Sequence, residues 1–183
     1  MNRALIIVDV QRDFCPGGAL AAPMGNEIIP VINKLMDKFE IILASKDWHP
    51  SKTVHFDKWP PHCIRGTEGA AFHPGLQQSK IEMVALKGTG NSDDGYSAFE
   101  ATNMDLSHWL KRKNVDAVYT CGIATEYCVM STAKDAVKAG FKTYCITDAI
   151  APVNVHKGDG EEALQKMNKE GISLITSDKI LMK

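Results

Sequence analysis

The sequence predicts a three-layer α/β/α fold around a central, mostly parallel six-stranded sheet, carried by one domain over residues 1–183. Three observations predict it. Short apolar runs alternate with helical patterns from one end of the chain to the other. The runs are almost continuously apolar, as strands covered on both faces are, rather than alternating as in a half-exposed sheet. Gly140 and Gly171 each stand just before such a run, where a helix C-cap glycine hands over to a strand.

The elements follow in order. Residues 4–8 read as a first strand, ended by Asp9. A helix is expected after Asn26, taken as its cap, with Pro30 tolerable in the first turn because an N–H there has no helical partner. Strands are expected at 40–44 and 83–86, the second ended by Lys87, and a helix after Asp105. A strand at 117–121 runs through a tight turn at Gly122 into a helix from about Glu126, with Cys128 in or near its first turn. A strand at 142–146, a helix from about Asp159 and a strand at 172–176 complete the pattern. Between residues 46 and 78 no period is visible. That stretch holds His49, His55, His62 and His73, and irregular segments of this length in a folded chain are usually functional or disordered. Its tryptophans argue against disorder.

Composition excludes several classes. A formal net charge of −1 gives no electrostatic case for nucleic acid or for an anionic membrane. The first apolar run, LIIV, is cut by Asp9 and is a strand rather than a signal peptide or a membrane span. Five cysteines with no CxxC pair suit a reducing compartment, so the cytoplasm is expected.

Three residues could carry chemistry together. Asp9, Lys87 and Cys128 each follow a different strand, so a parallel sheet brings them to one edge, outside the carboxyl ends of the strands. A carboxylate there can act as a base, and a thiol at a helix N-terminus has its pKa lowered and becomes the better nucleophile. Taken singly, each has a plainer reading. Asp9 fits a turn cap, Lys87 a strand-end cation whose head reaches solvent, and Cys128 a buried helix cysteine. Together they follow the nucleophile–base logic of covalent catalysis.

Asp47 and His49, two apart in extended chain, point the same way and can meet one ion. With His62 they make a ligand set suited to Zn²⁺, Mn²⁺ or Fe²⁺, and His55 could add a fourth ligand. Spacing alone fits loop histidines that bind nothing equally well.

Six strings in order, DVQRDF (9–14), KDWHP (46–50), WPPHC (59–63), LKG (86–88), YSAFE (96–100) and GIATEYCV (122–129), span most of the chain. In them the chain resembles the nicotinamidase branch of the isochorismatase-like hydrolases. The resemblance implies a catalytic set of Asp9, Lys87 and Cys128, and metal ligands Asp47, His49 and His62, with His55 coordinating in some members only. It implies a cis peptide between Ile123 and Ala124, with the Ala124 and Cys128 N–H groups as oxyanion donors. Phe14, Trp59, Tyr96, Ala124 and Tyr127 match substrate-pocket positions. Tyr127 stands where some members carry another ring or a small residue.

The expected activity is therefore hydrolysis of nicotinamide to nicotinic acid and ammonia through a cysteine thioester, with a role in NAD salvage. One divalent metal, Zn²⁺ first, is expected to anchor the pyridine ring, and pyrazinamide is an expected second substrate. A homo-oligomer that takes a small molecule, and neither nucleic acid nor membrane, is the expected form. A rival is an amidohydrolase of carbamoyl or ureido compounds, relatives that share the Asp–Lys–Cys set but typically lack the metal ligands. A non-catalytic binding member would lack a catalytic residue, and none is missing. Isochorismatases proper lack the cysteine.

Overall fold

A computed structural model describes residues 2–182. One sheet of six strands organises them, β1 (Asn2–Val8), β2 (Ile41–Asp47), β3 (Met83–Lys87), β4 (Val115–Ile123), β5 (Lys142–Ala151) and β6 (Ser173–Ile175), in the order β3-β2-β1-β4-β5-β6. Every pairing is parallel. The chain builds outward from β1 to β3 on one side, then returns to lay β4 against β1 and build the other way. The switch point therefore lies between β1 and β4, where Val8 pairs with Gly122. In open α/β sheets ligands collect in the crevice beyond that point.

Burial follows from strand alternation. In β1, Leu5 and Ile7 pack into one apolar cluster while Ala4, Ile6 and Val8 pack into another, and all five are fully buried. The first cluster is covered by α1 (Ile28–Met36), which contributes Ile28, Ile29, Ile32, Leu35 and Met36. The second is covered by α2 (Leu106–Arg112), α3 (Met130–Lys138) and α4 (Asp159–Lys169), through Leu106, Leu110, Ala133, Ala136 and Met167. Covering both faces is what requires near-continuous apolar strands. A short α5 (Asp178–Leu181), which no sequence signal announced, sets Ile180 on the α1 side.

Several local expectations hold. The Asp105 side chain caps α2 by accepting from the His108 N–H at 2.9 Å. Gly140 and Gly171 adopt φ of 91° and 86°, left-handed positions that end α3 and α4. Others are corrected. Glu27, not Asn26, precedes α1, and no side chain caps that end. Pro30 is tolerated all the same, since a third helical residue has no intrahelical N–H partner to lose. The strands run further than periodicity suggests, β2 to Asp47, β4 to Ile123 and β5 to Ala151. The segment after β4 is a π turn over Thr125–Val129 that then tightens into α3, not an α-helix from Glu126.

Candidate active site

Two abrupt turns at the switch point build the site. Asp9 follows β1 with φ of 48°, a left-handed conformation uncommon for a residue with a side chain, and drops its carboxylate beneath the strand ends. Gly122 has φ of 115°, and a Cβ there would lie 2.0 Å from the Val8 carbonyl oxygen. Only glycine lets β4 pass β1 that closely. The next peptide, Ile123–Ala124, is cis. The π turn then brings Cys128 back over Asp9.

Lys87 is the hub. Its side chain is fully buried and its Nζ lies 2.7 Å from Asp9 Oδ2, 2.5 Å from Asp47 Oδ1, 2.8 Å from the Gly95 carbonyl and 3.4 Å from Cys128 Sγ. A cation taken wholly out of water needs such compensation. Burial works against its charge, yet Asp47 and Asp9 outweigh burial and hold its pKa well above the ordinary lysine value. The residue thus reaches inward and not to solvent.

The two carboxylates are set apart by their neighbours. Burial would raise both. At Asp47 it is outweighed by Lys87, His49 and His62, which hold the carboxyl well below the usual range. At Asp9 burial prevails over Lys87, and the pKa is raised. Asp9 Oδ1 accepts from the Ser45 hydroxyl at 2.6 Å, while Oδ2 has the Lys87 ion pair but no donor in hydrogen-bond geometry. The Cys128 sulfur and an Asp9 carboxylate oxygen lie within 4.8 Å of each other, near enough for the thiol to pass its proton there. A carboxylate of raised basicity, with one oxygen in need of a donor, is suited to take that proton.

The thiol itself differs from expectation. The sequence predicts a depressed pKa from the helix terminus. In the structure burial pushes Cys128 well above the ordinary thiol value, with Asp9 and Asp47 adding to the effect and only Lys87 opposing it. Desolvation inside the crevice exceeds what one turn of backbone dipole offers. The resting group is a neutral thiol that needs a base.

A second cluster adjoins the first. Ligand atoms of His49, His55 and His62 lie within 4.8 Å of one another, and Asp47 Oδ2 lies 3.4 Å from His49 Nε2 and 3.6 Å from His62 Nε2. Each imidazole gives its Nδ1 to an oxygen. His49 bonds the Gly88 carbonyl at 2.8 Å, His62 the Pro60 carbonyl at 2.7 Å and His55 the Asp93 carboxylate at 2.8 Å. That arrangement leaves the Nε2 lone pairs free on the shared side, the tautomer metal-ligating histidines adopt. His49 Nε2 is buried with no hydrogen-bond partner. An orphaned buried nitrogen beside a carboxylate and two further imidazoles fits a divalent cation, with His55 a full member of the set. Asp47 joins both clusters, one oxygen on Lys87 and the other toward the histidines.

A cavity of about 40 Å³ opens over both clusters. Among its lining residues are Phe14, Trp59, Tyr96, Ala124, Tyr127 and Cys128, so every pocket residue expected from the sequence meets there, while Asp9, Lys87 and His49 lie behind its wall. The Trp59 and Tyr127 rings meet edge to face at 5.0 Å, and the Trp59 indole donates to the Tyr96 hydroxyl at 3.1 Å. So small an aromatic slot has no room for a polymer.

Sequence reasoning missed the supports. Gln11 is fully buried, donates to the Asp47 and Ala70 carbonyls at 2.8 and 3.0 Å and accepts from the Asp47 N–H at 2.9 Å, which fixes the backbone that carries that carboxylate. Ser45 could have been found, since it lies two residues before Asp47 on the same strand and shares its face. Glu126 accepts from the N–H groups of Val153 and Asn154 and ties the π turn to the end of β5. Asp93 carried no signal at all.

Comparison with known proteins follows the same outline. A family profile described as "Isochorismatase domain" matches residues 3–179. The nicotinamidase of Acinetobacter baylyi is 38% identical over 205 aligned positions, covering 99% of this chain and 95% of the relative. The zinc complex of Pyrococcus horikoshii pyrazinamidase superposes with a TM-score of 0.86 at 40% identity, covering 96% of this chain and 99% of the other. The PnC1 protein of L. infantum, solved with nicotinate, superposes at 0.90 with 34% identity, covering 97% and 93%.

Proposed function

The chain belongs to the isochorismatase family, and on that premise we propose that it is a nicotinamidase that hydrolyses nicotinamide to nicotinic acid and ammonia. The carrying observation is that one small aromatic cavity is lined both by Cys128 and by His55 and His62 of the histidine cluster. The single domain would also accept pyrazinamide, and its place would be in NAD salvage. A homo-oligomer in the cytoplasm, with neither nucleic acid nor membrane as partner, is the proposed form. No helix among the described residues is long and apolar enough to cross a membrane.

In the proposed reaction the ring slides between Phe14, Trp59, Tyr96 and Tyr127 and presents its carboxamide to Cys128. Asp9 Oδ2 takes the thiol proton as the sulfur attacks the carboxamide carbon. Lys87, held by Asp47 and the Gly95 carbonyl, stabilises the thiolate as it forms. The N–H groups of Ala124 and Cys128 receive the oxyanion, and donors of this type contribute about 3–4 kcal/mol. The C–N bond breaks as Asp9 returns its proton to the leaving nitrogen, which departs as ammonia. Water then attacks the thioester, Asp9 accepts its proton, and the C–S bond breaks to release the acid and the thiol.

Asp47, His49, His55 and His62 would hold the divalent metal, for which the zinc complex of the P. horikoshii relative favours Zn²⁺. When bound, that metal supplies a Lewis-acid position for the pyridine nitrogen. The histidine cluster favours this over a carbamoyl or ureido substrate, which has no ring nitrogen to place there. Ammonia release from nicotinamide by purified protein, with Cys128→Ala and metal-stripped protein alongside, tests the proposal. Release lost in both controls is expected. Absence of release from zinc-replete protein would overturn it.

A further inference from the structure

Asp93 touches both halves of the site, and none of the sequence motifs includes it. Its Oδ1 accepts from His55 Nδ1 at 2.8 Å and from the Tyr96 hydroxyl at 2.6 Å, while its Oδ2 lies 3.6 Å from Lys58 Nζ. The three partners come from two segments, the turn Val54–Asp57 with the residues just after it, and the loop leading from β3. Asn91 of the same loop accepts from the Val54 N–H at 2.8 Å, so the loop grips that turn at two points. Only the Asp93 contact reaches groups that face the cavity, since both His55 and Tyr96 line it.

Both donors give their hydrogen to one oxygen. An imidazole that donates Nδ1–H to a carboxylate is fixed in ring angle and in tautomer, and its Nε2 becomes the more basic ligand. A tyrosine hydroxyl held by the same atom fixes the ring that forms the cavity wall, and it in turn accepts from Trp59. Displacing the carboxylate would free both rings at once.

We propose that Asp93 is a positioning residue that sets the His55 and Tyr96 rings together, so that one carboxylate governs both metal affinity and the fit of the aromatic amide. The proposal rests on the metal-dependent amidase reading above. With its side chain 40% exposed, Asp93 can be replaced without leaving a buried hole.

The test measures zinc affinity of metal-stripped wild type, Asp93→Ala, Asp93→Asn, His55→Ala and the Asp93→Ala/His55→Ala double variant, by competition with a chromophoric chelator. KM and kcat for nicotinamide are then taken at saturating zinc. Asp93→Ala is expected to lower zinc affinity by about 10–100-fold, the usual loss when a partner behind a metal-ligating histidine is removed. Asp93→Asn is expected to recover most of it, because its amide oxygen can accept from both donors. At saturating zinc the Ala variant should raise KM with kcat nearly unchanged. In the His55→Ala background, Asp93→Ala should leave zinc affinity where it was. Unchanged zinc affinity in Asp93→Ala, or an equal loss with and without His55, would overturn the proposal. Wild type that takes zinc but releases no ammonia would refute the amidase reading alone, since the zinc measurements still decide the role of Asp93. Wild type that takes no zinc would refute both.

Discussion

Replacing Ser45 by alanine should shift the pH dependence of the reaction without touching nucleophile, metal ligand or pocket wall. Ser45 Oγ donates to Asp9 Oδ1 at 2.6 Å, and both residues are fully buried, so no water replaces the lost donor. Burial raises the Asp9 carboxyl, and Ser45 is among the groups that hold it down, after Lys87. A hydrogen bond to a charged group contributes about 1.5–3 kcal/mol. At about 1.4 kcal/mol per pKa unit, its loss raises the Asp9 pKa by roughly one to two units. Asp9 acts as a base in its ionised form, so a higher pKa means fewer competent molecules at low pH. The acidic limb of kcat/KM for nicotinamide, measured at saturating zinc, should therefore move upward by about one to two pH units. An orphaned buried acceptor also destabilises by about 1–3 kcal/mol, which for a chain of this length lowers Tm by roughly 2–12 °C. An acidic limb that stays in place or moves down in Ser45→Ala, with the protein folded, would refute the assignment of Asp9 as the base.

Other perturbations test other parts of the structure. Asp9→Asn keeps the shape but cannot accept the thiol proton, and ammonia release should fall by about 10²- to 10⁴-fold, as single-turnover assays with zinc-loaded protein would measure. Gly122→Ala places a methyl group 2.0 Å from the Val8 carbonyl oxygen at φ of 115° and should destabilise by more than about 4 kcal/mol, seen as insoluble protein or a denaturation midpoint far below wild type. Pyrazinamide, which keeps a ring nitrogen meta to the carboxamide, should be turned over while benzamide should be poor. Comparable kcat/KM for benzamide would exclude ring anchoring by the metal.

The strand ends were legible because a strand buried on both faces has no reason to stop at a charge. Asp9 and Lys87 interrupt apolar runs, and that interruption by itself places them at the carboxyl edge. Gly122 and the Asp47-x-His49 pair were legible for similar local reasons, one a backbone need and the other a matter of strand alternation. Asn26 misled because Asn is a good cap in general, while the chain here enters α1 through a turn in which Glu27 is already helical.

The sequence by itself determined the fold class, the edge at which chemistry collects and the residue types that meet there, since these follow from polarity pattern, from strand period and from the glycine positions. Tertiary structure alone decided what those residues are worth. The Cys128 thiol is raised and not lowered because its burial beside two carboxylates outweighs the backbone dipole. Asp9 and Asp47 are alike in sequence, yet one is pushed up and the other held down, because the histidines stand on one side only. Ser45 meets Asp9 across 36 residues of chain and Asp93 reaches His55 across 38, and His55 joins the histidine cluster only through the fold. Desolvation and long-range hydrogen bonds depend on which segments are packed together, and no local window of residues contains that information.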